Sequence, residues 1–272
     1  MEIVIIEKEA FEAFMAEVSA LAEKVAGSAD KAVELMNSRA KMLGMNDTVY
    51  TDCTGMGEGN VTTAKDTALL CSELAKYKNL TPYLTCWLDT VRDGKAELVN
   101  LNRLVRTYKG VTGMKAWGSE KAGSCIAATA EKGDMSVCVV LNGCDSQEDM
   151  NAEAKKLLNL AFDTYEIYTP ELPEDMVKET VVCGGEELSV ELAPKGLYPI
   201  VIPRGTYRMV ECDFTAEEKL DAPVKNGETA GEIRYTMGGE VILEGKIVAC
   251  KEVKEMNFIC GIKKLVYNLL SM

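Results

Sequence analysis

The hydrophobic period changes near residue 96, and that change limits what the chain can fold into more than any short motif does. Before it, apolar residues recur at helical spacing. Phe11, Phe14, Met15, Val18, Leu21, Ala22 and Val25 form one stripe closed by Gly27, which predicts a helix over about 9–26. Ser28 is placed to cap a second helix through Val33, Leu35, Met36, Ala40 and Leu43, ended by Gly44, so the pair reads as a helical hairpin. A turn around Gly55, Gly57 and Gly59 leads to Thr62 or Thr63, either of which can cap a third helix through Ala64, Leu69, Leu70, Leu74 and Ala75. Pro82 interrupts that pattern.

Past residue 96 the chain reads as strands. Residues 97–102 look extended, and 124–130 and 135–141, joined by Glu131-Lys-Gly-Asp, predict a hairpin. Its second arm is apolar on both faces, as expected of a central strand, and a helix over 147–162 is expected to cover the sheet. Pro170 and Pro173 in an acidic stretch predict a linker at 170–176. Beyond it, short runs at 188–192, 198–202, 207–210, 231–235 and 241–243, punctuated by Gly-Gly and Asn-Gly, predict a small all-β domain. Phe258, Ile259, Ile262, Leu265, Val266, Leu269 and Leu270 then line one face of an amphipathic helix. That face suits the protein's own body, a second copy or a membrane surface. The expected organisation is α+β: a first domain over 1–169, the linker, a β-rich domain over 177–254 and a tail helix over 255–272.

Composition narrows the chemistry. A net charge of −13 repels nucleic-acid phosphate, and no stretch approaches the run of about 18 apolar residues that a membrane-spanning helix needs. The sequence contains no histidine, which removes Ser-His-Asp and Cys-His catalysis and His-ligated zinc. Ten cysteines are scattered with no C-x-x-C pair, so they read as small core residues kept reduced, with neither a metal site nor a cofactor implied. The first residues, Met1-Glu-Ile-Val-Ile-Ile-Glu, lack the basic start and long apolar run of a secretory signal, so as written the chain is expected to stay in the cytoplasm.

Several blocks occur in an order that resembles one family. Gly27-Ser28, Leu35-Met36-Asn37-Ser38, Ala40, Leu43-Gly44-Met45 and Thr48 are followed by Thr54-Gly55 and by the run from Thr62 to Leu70. Asn100-Leu101-Asn102-Arg103-Leu104, Gly110-Val111-Thr112-Gly113-Met114-Lys115 and Lys121-Ala122-Gly123 come next, with Ala154-Lys155-Lys156-Leu157-Leu158 closing the first domain. In the β-rich part, Ala222-Pro223-Val224-Lys225-Asn226-Gly227 and Gly231 complete the pattern. This order resembles the serine-type D-alanyl-D-alanine carboxypeptidases, the low-molecular-mass penicillin-binding proteins. The resemblance implies an incomplete penicillin-binding, β-lactamase-like transpeptidase domain followed by the β domain. It also implies peptidoglycan stem peptides or β-lactams as ligands, a place on the outer face of the cytoplasmic membrane held by the tail helix, and a serine acylated with help from a lysine in S-x-x-K.

Against that family, the chain departs at each catalytic motif. S-x-x-K normally precedes the Gly27-Ser28 stretch by more residues than are present, so no catalytic residue is assigned. Ser28-Ala-Asp-Lys31 and Ser38-Arg-Ala-Lys41 match the string by chance: Ser28 is a helix cap, and Ser38 lies on a helix the family uses structurally. The S-x-N position falls on Ala13-Phe14-Met15, and no Ser-x-Asn triplet occurs in the sequence. K-T-G aligns with Lys115-Ala116-Trp117, the degenerate substrate-binding position, where the hydroxyl becomes a methyl and the glycine becomes an indole. Trp117 reads as a plug in the cleft and Lys115 as a solvated strand lysine. Asp145 aligns where some members carry an arginine, which would repel an anionic substrate. The expectation is therefore a relative inactive as the chain stands, either a truncated product or a pseudoenzyme that keeps the two-domain scaffold. The alternatives are a non-catalytic scaffold that binds peptidoglycan, a partner or a membrane surface, and a residual enzyme using Ser28 or Ser38.

Overall fold

A computed structural model describes residues 8–57, 59–91, 96–258 and 262. The chain divides into two compact units, Met1–Asp163 and Thr164–Met272.

In the first unit, α1 (Lys8–Ala26) and α2 (Ala29–Met42) form the hairpin expected from the sequence. Ser28 caps α2, its hydroxyl accepting from the Lys31 N–H at 3.2 Å. Ala32 and Ala40 are buried, whereas Leu21, Val25 and Leu35 remain exposed, so the apolar stripe of the hairpin is covered only in part among the described residues. Thr63 caps α3 (Ala64–Leu74), accepting from the Asp66 N–H at 3.1 Å. Pro82 does not break a helix. It lies in the first turn of the short α4 (Thr81–Leu84), where a missing N–H costs nothing. β1 (Leu88–Val91) and β2 (Ala96–Val99) pair antiparallel, and α5 (Leu104–Thr107) leads into β3 (Val111–Ser119), β4 (Gly123–Lys132) and β5 (Met135–Cys144).

These last three strands form an antiparallel sheet in the order β3-β4-β5. Among the described strands β4 is flanked on both sides, with six consecutive buried residues, Cys125 to Ala130. β5 is apolar on both faces because α3 packs on one of them, against Cys138 and Val140, while Val139 is buried on the other. The following helix, α6 (Gln147–Thr164), buries Met150, Ala154, Leu158 and Phe162, a single stripe at intervals of four.

The second unit is built mainly of strands among the described residues. β6 (Tyr165–Tyr168) pairs with β9 (Ile200–Pro203), and β7 (Glu179–Cys183), β8 (Ser189–Lys195), β10 (Val210–Ala216), β11 (Lys219–Asp221), β12 (Thr229–Met237) and β13 (Glu240–Ala249) form a sheet ordered β10-β12-β13-β8-β7-β11. Its core holds Val190, Val224, Ile233, Tyr235, Ile247 and Val253. Gly231 is required where β12 meets β10, since a Cβ there would lie 2.1 Å from the Thr215 carbonyl oxygen.

Three expectations are corrected here. The division falls at Asp163/Thr164, ahead of the linker expected at 170–176, because β6 is paired into the second unit and Tyr235 Oη donates to the Glu171 carbonyl at 2.9 Å. Residues 207–209 form a 3-10 turn instead of a strand, closed by Met209 N–H donating to Thr206 O at 2.8 Å, and β10 begins only at Val210. Val253 bridges Val224 and Glu255 bridges Gly185, so the β unit extends into the start of the expected 255–272 tail. Apart from Phe258 and Ile262, the apolar residues of that tail lie outside the described residues. Among the described residues no helix is long and apolar enough to cross a membrane.

Candidate functional site

The Lys115-Ala116-Trp117 position lies in the middle of β3, which has no strand partner on its outer side among the described residues. Antiparallel register sets Lys115 opposite Ala127, Ala116 opposite Ile126 and Trp117 opposite Cys125. Side chains alternate along a strand, so Lys115 and Trp117 share a face and Ala116 points to the other. Lys115 is exposed and Ala116 is buried. Trp117 is half-buried and packs on the cluster formed by Cys71 of α3, Met114 and Ala127. The lysine two residues earlier is exposed.

Two asparagines in the Asn100-to-Leu104 block hold this strand. Asn100 Oδ1 accepts from the Asn102 N–H at 2.9 Å, and its Nδ2 donates to Cys86 O at 3.1 Å. Asn102 has no exposed surface; its Oδ1 accepts from the Leu104 N–H at 3.1 Å and its Nδ2 donates to Gly113 O at 3.3 Å. Gly113 itself sits where a Cβ would lie 3.1 Å from Leu84 Cβ. Sequence reasoning quoted this block for its resemblance but not for this role, which depends on a loop meeting a strand.

Residues of two other quoted blocks make structural contacts. Asn37 clamps the chain after α2, its Nδ2 donating to Tyr50 O at 2.8 Å and its Oδ1 accepting from Tyr50 N–H at 2.9 Å. Buried Asp66 accepts from the Thr48 hydroxyl at 2.7 Å and from the Asp47 N–H at 2.9 Å. Ser28 is a cap, and Ser38 and Lys41 are exposed on α2. The Ala13-Phe14-Met15 position falls within α1, where the side chains of the first two lie outside the described ones.

Charge at the far end of the sheet is negative. Asp145, exposed, follows Cys144, which pairs with Ser124 next to the Trp117 partner Cys125. Burial raises the Cys144 thiol above its usual range, and Cys125, Asp145, Asp149 and Glu153 add to the effect. Among the described residues no group of three or more Cys, Asp or Glu side chains is placed to hold a metal ion.

A helix-covered antiparallel sheet with a lysine on its edge strand, continued by a separate β unit, is the two-unit plan of the low-molecular-mass penicillin-binding proteins. Residues 15–145 match the family model for D-alanyl-D-alanine carboxypeptidase, and 162–255 match that for the C-terminal domain of penicillin-binding protein 5. The chain belongs to the D-alanyl-D-alanine carboxypeptidase family. It is 31% identical over 250 residues to the D-alanyl-D-alanine carboxypeptidase DacF of Bacillus subtilis, covering 90% of this chain and 64% of that protein. To DacC of Escherichia coli it is 31% identical over 242 residues, covering 88% of this chain and 60% of the relative. The chain therefore spans less than two thirds of the length of these curated relatives. Among solved structures, penicillin binding protein 5 from Haemophilus influenzae superposes with a TM-score of 0.74 at 25% identity, covering 87% of this chain and 70% of that one.

Proposed function

We propose that this chain is a non-hydrolysing member of its family, a cell-wall scaffold that keeps the two-unit body but not the acyl-enzyme chemistry. The observation that carries this reading is Trp117. At the third position of the K-T-G alignment, where the family's substrate runs along the strand, a half-buried indole packs against the cluster that contains Cys71 and Ala127. Ala116, in place of the hydroxyl, is buried and has no polar side-chain atom to offer. The Ala13-Phe14-Met15 position likewise supplies neither hydroxyl nor amide. Lys115 remains as an exposed cation on the same strand and is the residue through which a stem peptide would still be contacted.

The test is intact-mass spectrometry of the folded chain after incubation with excess penicillin, beside a denatured control for chemical acylation of lysine. The expected result is no one-to-one adduct. A one-to-one adduct on the folded protein that the denatured control lacks would overturn the reading and point to Ser28 or Ser38. For the scaffold role, titration with purified muropeptides should show saturable binding weakened by Lys115→Ala; no binding would remove peptidoglycan as the ligand.

A further inference from the structure

Two of the scattered cysteines meet inside the first unit. Cys71 lies on α3 and is 3% exposed, and Cys138 lies on β5 and is half-buried. Register explains the meeting: Cys138 pairs with Thr129 and Val140 with Ala127, which puts Cys138 on the sheet face shared by Ala127 and Val140. That is the face on which α3 lies, and Cys71 and Cys138 belong to the same packed cluster. Each thiol is the leading influence on the other's acidity, as expected of side chains in one packed cluster. All nine described cysteines are free, so both sulfurs are in the thiol state.

We propose that Cys71 and Cys138 are a disulfide-forming pair, oxidised by a low-molecular-mass disulfide, that ties α3 to β5 behind the Trp117 wall. The step balances in two exchanges. The more accessible Cys138, as thiolate, attacks the small disulfide; a Cys138 mixed disulfide forms and one small thiolate leaves. Cys71 thiolate then attacks the Cys138 sulfur, the protein disulfide forms and the second small thiolate leaves. Two protein thiols are oxidised and one small disulfide is reduced to two thiols. The neighbouring Cys138 lowers the Cys71 thiol, whereas Cys71 together with burial raises Cys138, so the first exchange is the slow one. The crosslink joins residues 71 and 138, a long loop whose closure restricts the unfolded chain.

The full chain is equilibrated in glutathione buffers of graded potential, approached from fully reduced and from oxidised protein, then quenched by alkylation and peptide-mapped. The expected outcome is a Cys71–Cys138 linked peptide as the dominant oxidised species, with a higher Tm than the reduced protein. Cys138→Ala should abolish both the linked peptide and the Tm rise. The proposal is overturned if both cysteines emerge alkylated or glutathione-capped from oxidising buffer. It is equally overturned if their linked peptide is no more abundant than one joining the neighbouring Cys125 and Cys144. Should the Ala variant fail to fold, the wild-type map decides alone.

Discussion

Asn102 Nδ2 donates to the Gly113 carbonyl at 3.3 Å, fixing β3 two residues before Lys115. Because Asn102 Oδ1 also accepts from the Leu104 N–H, one buried amide joins the start of α5 to the edge strand. Asn102→Ala strands a backbone donor and an acceptor in a dry site, each loss costing about 1–3 kcal/mol. The expected loss of stability is about 2–4 kcal/mol, read by urea unfolding. Asn102→Asp keeps the acceptor but loses the donor, so it should also destabilise; a variant as stable as wild type would contradict the clamp.

Trp117 gives a second test. If the indole fills the packing between α3 and the sheet, Trp117→Gly should destabilise the first unit by about 3–5 kcal/mol, the range for deleting a packed aromatic side chain. Restoring a K-T-G string with Ala116→Thr and Trp117→Gly together should then yield a less stable protein without penicillin hydrolysis. Full stability of the double variant would show that Trp117 is a surface ring.

Gly110 has φ +93, and a Cβ there would lie 2.4 Å from the Glu131 carbonyl oxygen, whereas Gly133, at φ +61, has nothing within 4 Å. Gly110→Ala must displace backbone and should cost well over the roughly 1 kcal/mol expected of Gly133→Ala, where only the left-handed conformation is penalised. Comparative denaturant midpoints of the two variants check the order.

The loop at 52–60 is organised by the Asp52 carboxylate, which accepts from the Thr54 hydroxyl at 2.6 Å and from the N–H groups of Thr54, Gly55 and Gly57, each at 2.7 Å. The Thr54 hydroxyl first, then Asn60 and the loop amides, hold the carboxyl well below the usual carboxylate range. A depressed folded value means the stabilisation is fully present above the usual carboxylate range. It is lost as pH falls below that range through the lowered value. Asp52→Asn should therefore be less stable than wild type at neutral pH, with the gap closing in strong acid. A gap that stays constant across the acid range would contradict the assignment.

Much of the architecture was legible in order of residues. Helical periodicity placed the α1–α2 hairpin, and Ser28 and Thr63 as caps follow from their hydroxyls standing ahead of apolar stripes. The hairpin of β4 and β5 follows from alternation around Glu131-Lys-Gly-Asp, and the quoted blocks led to the family. The apolar pattern of β5 reports that both of its faces are covered, but not what covers them. The 207–209 turn was hidden because Tyr207, Arg208 and Met209 suit a strand by propensity, while the bond to Thr206 that closes the turn is local geometry.

Residue identity alone fixed what position 116 offers, since no fold gives an alanine a hydroxyl. Tertiary structure decided what the retained residues do. Asn102 becomes a clamp only when its loop reaches Gly113, Tyr235 reaches Glu171 across 64 positions, and Cys71 meets Cys138 only when α3 lies on the sheet. Such pairings depend on strand register and helix placement, which are set by burial summed over a whole unit, and so no local window of sequence contains them.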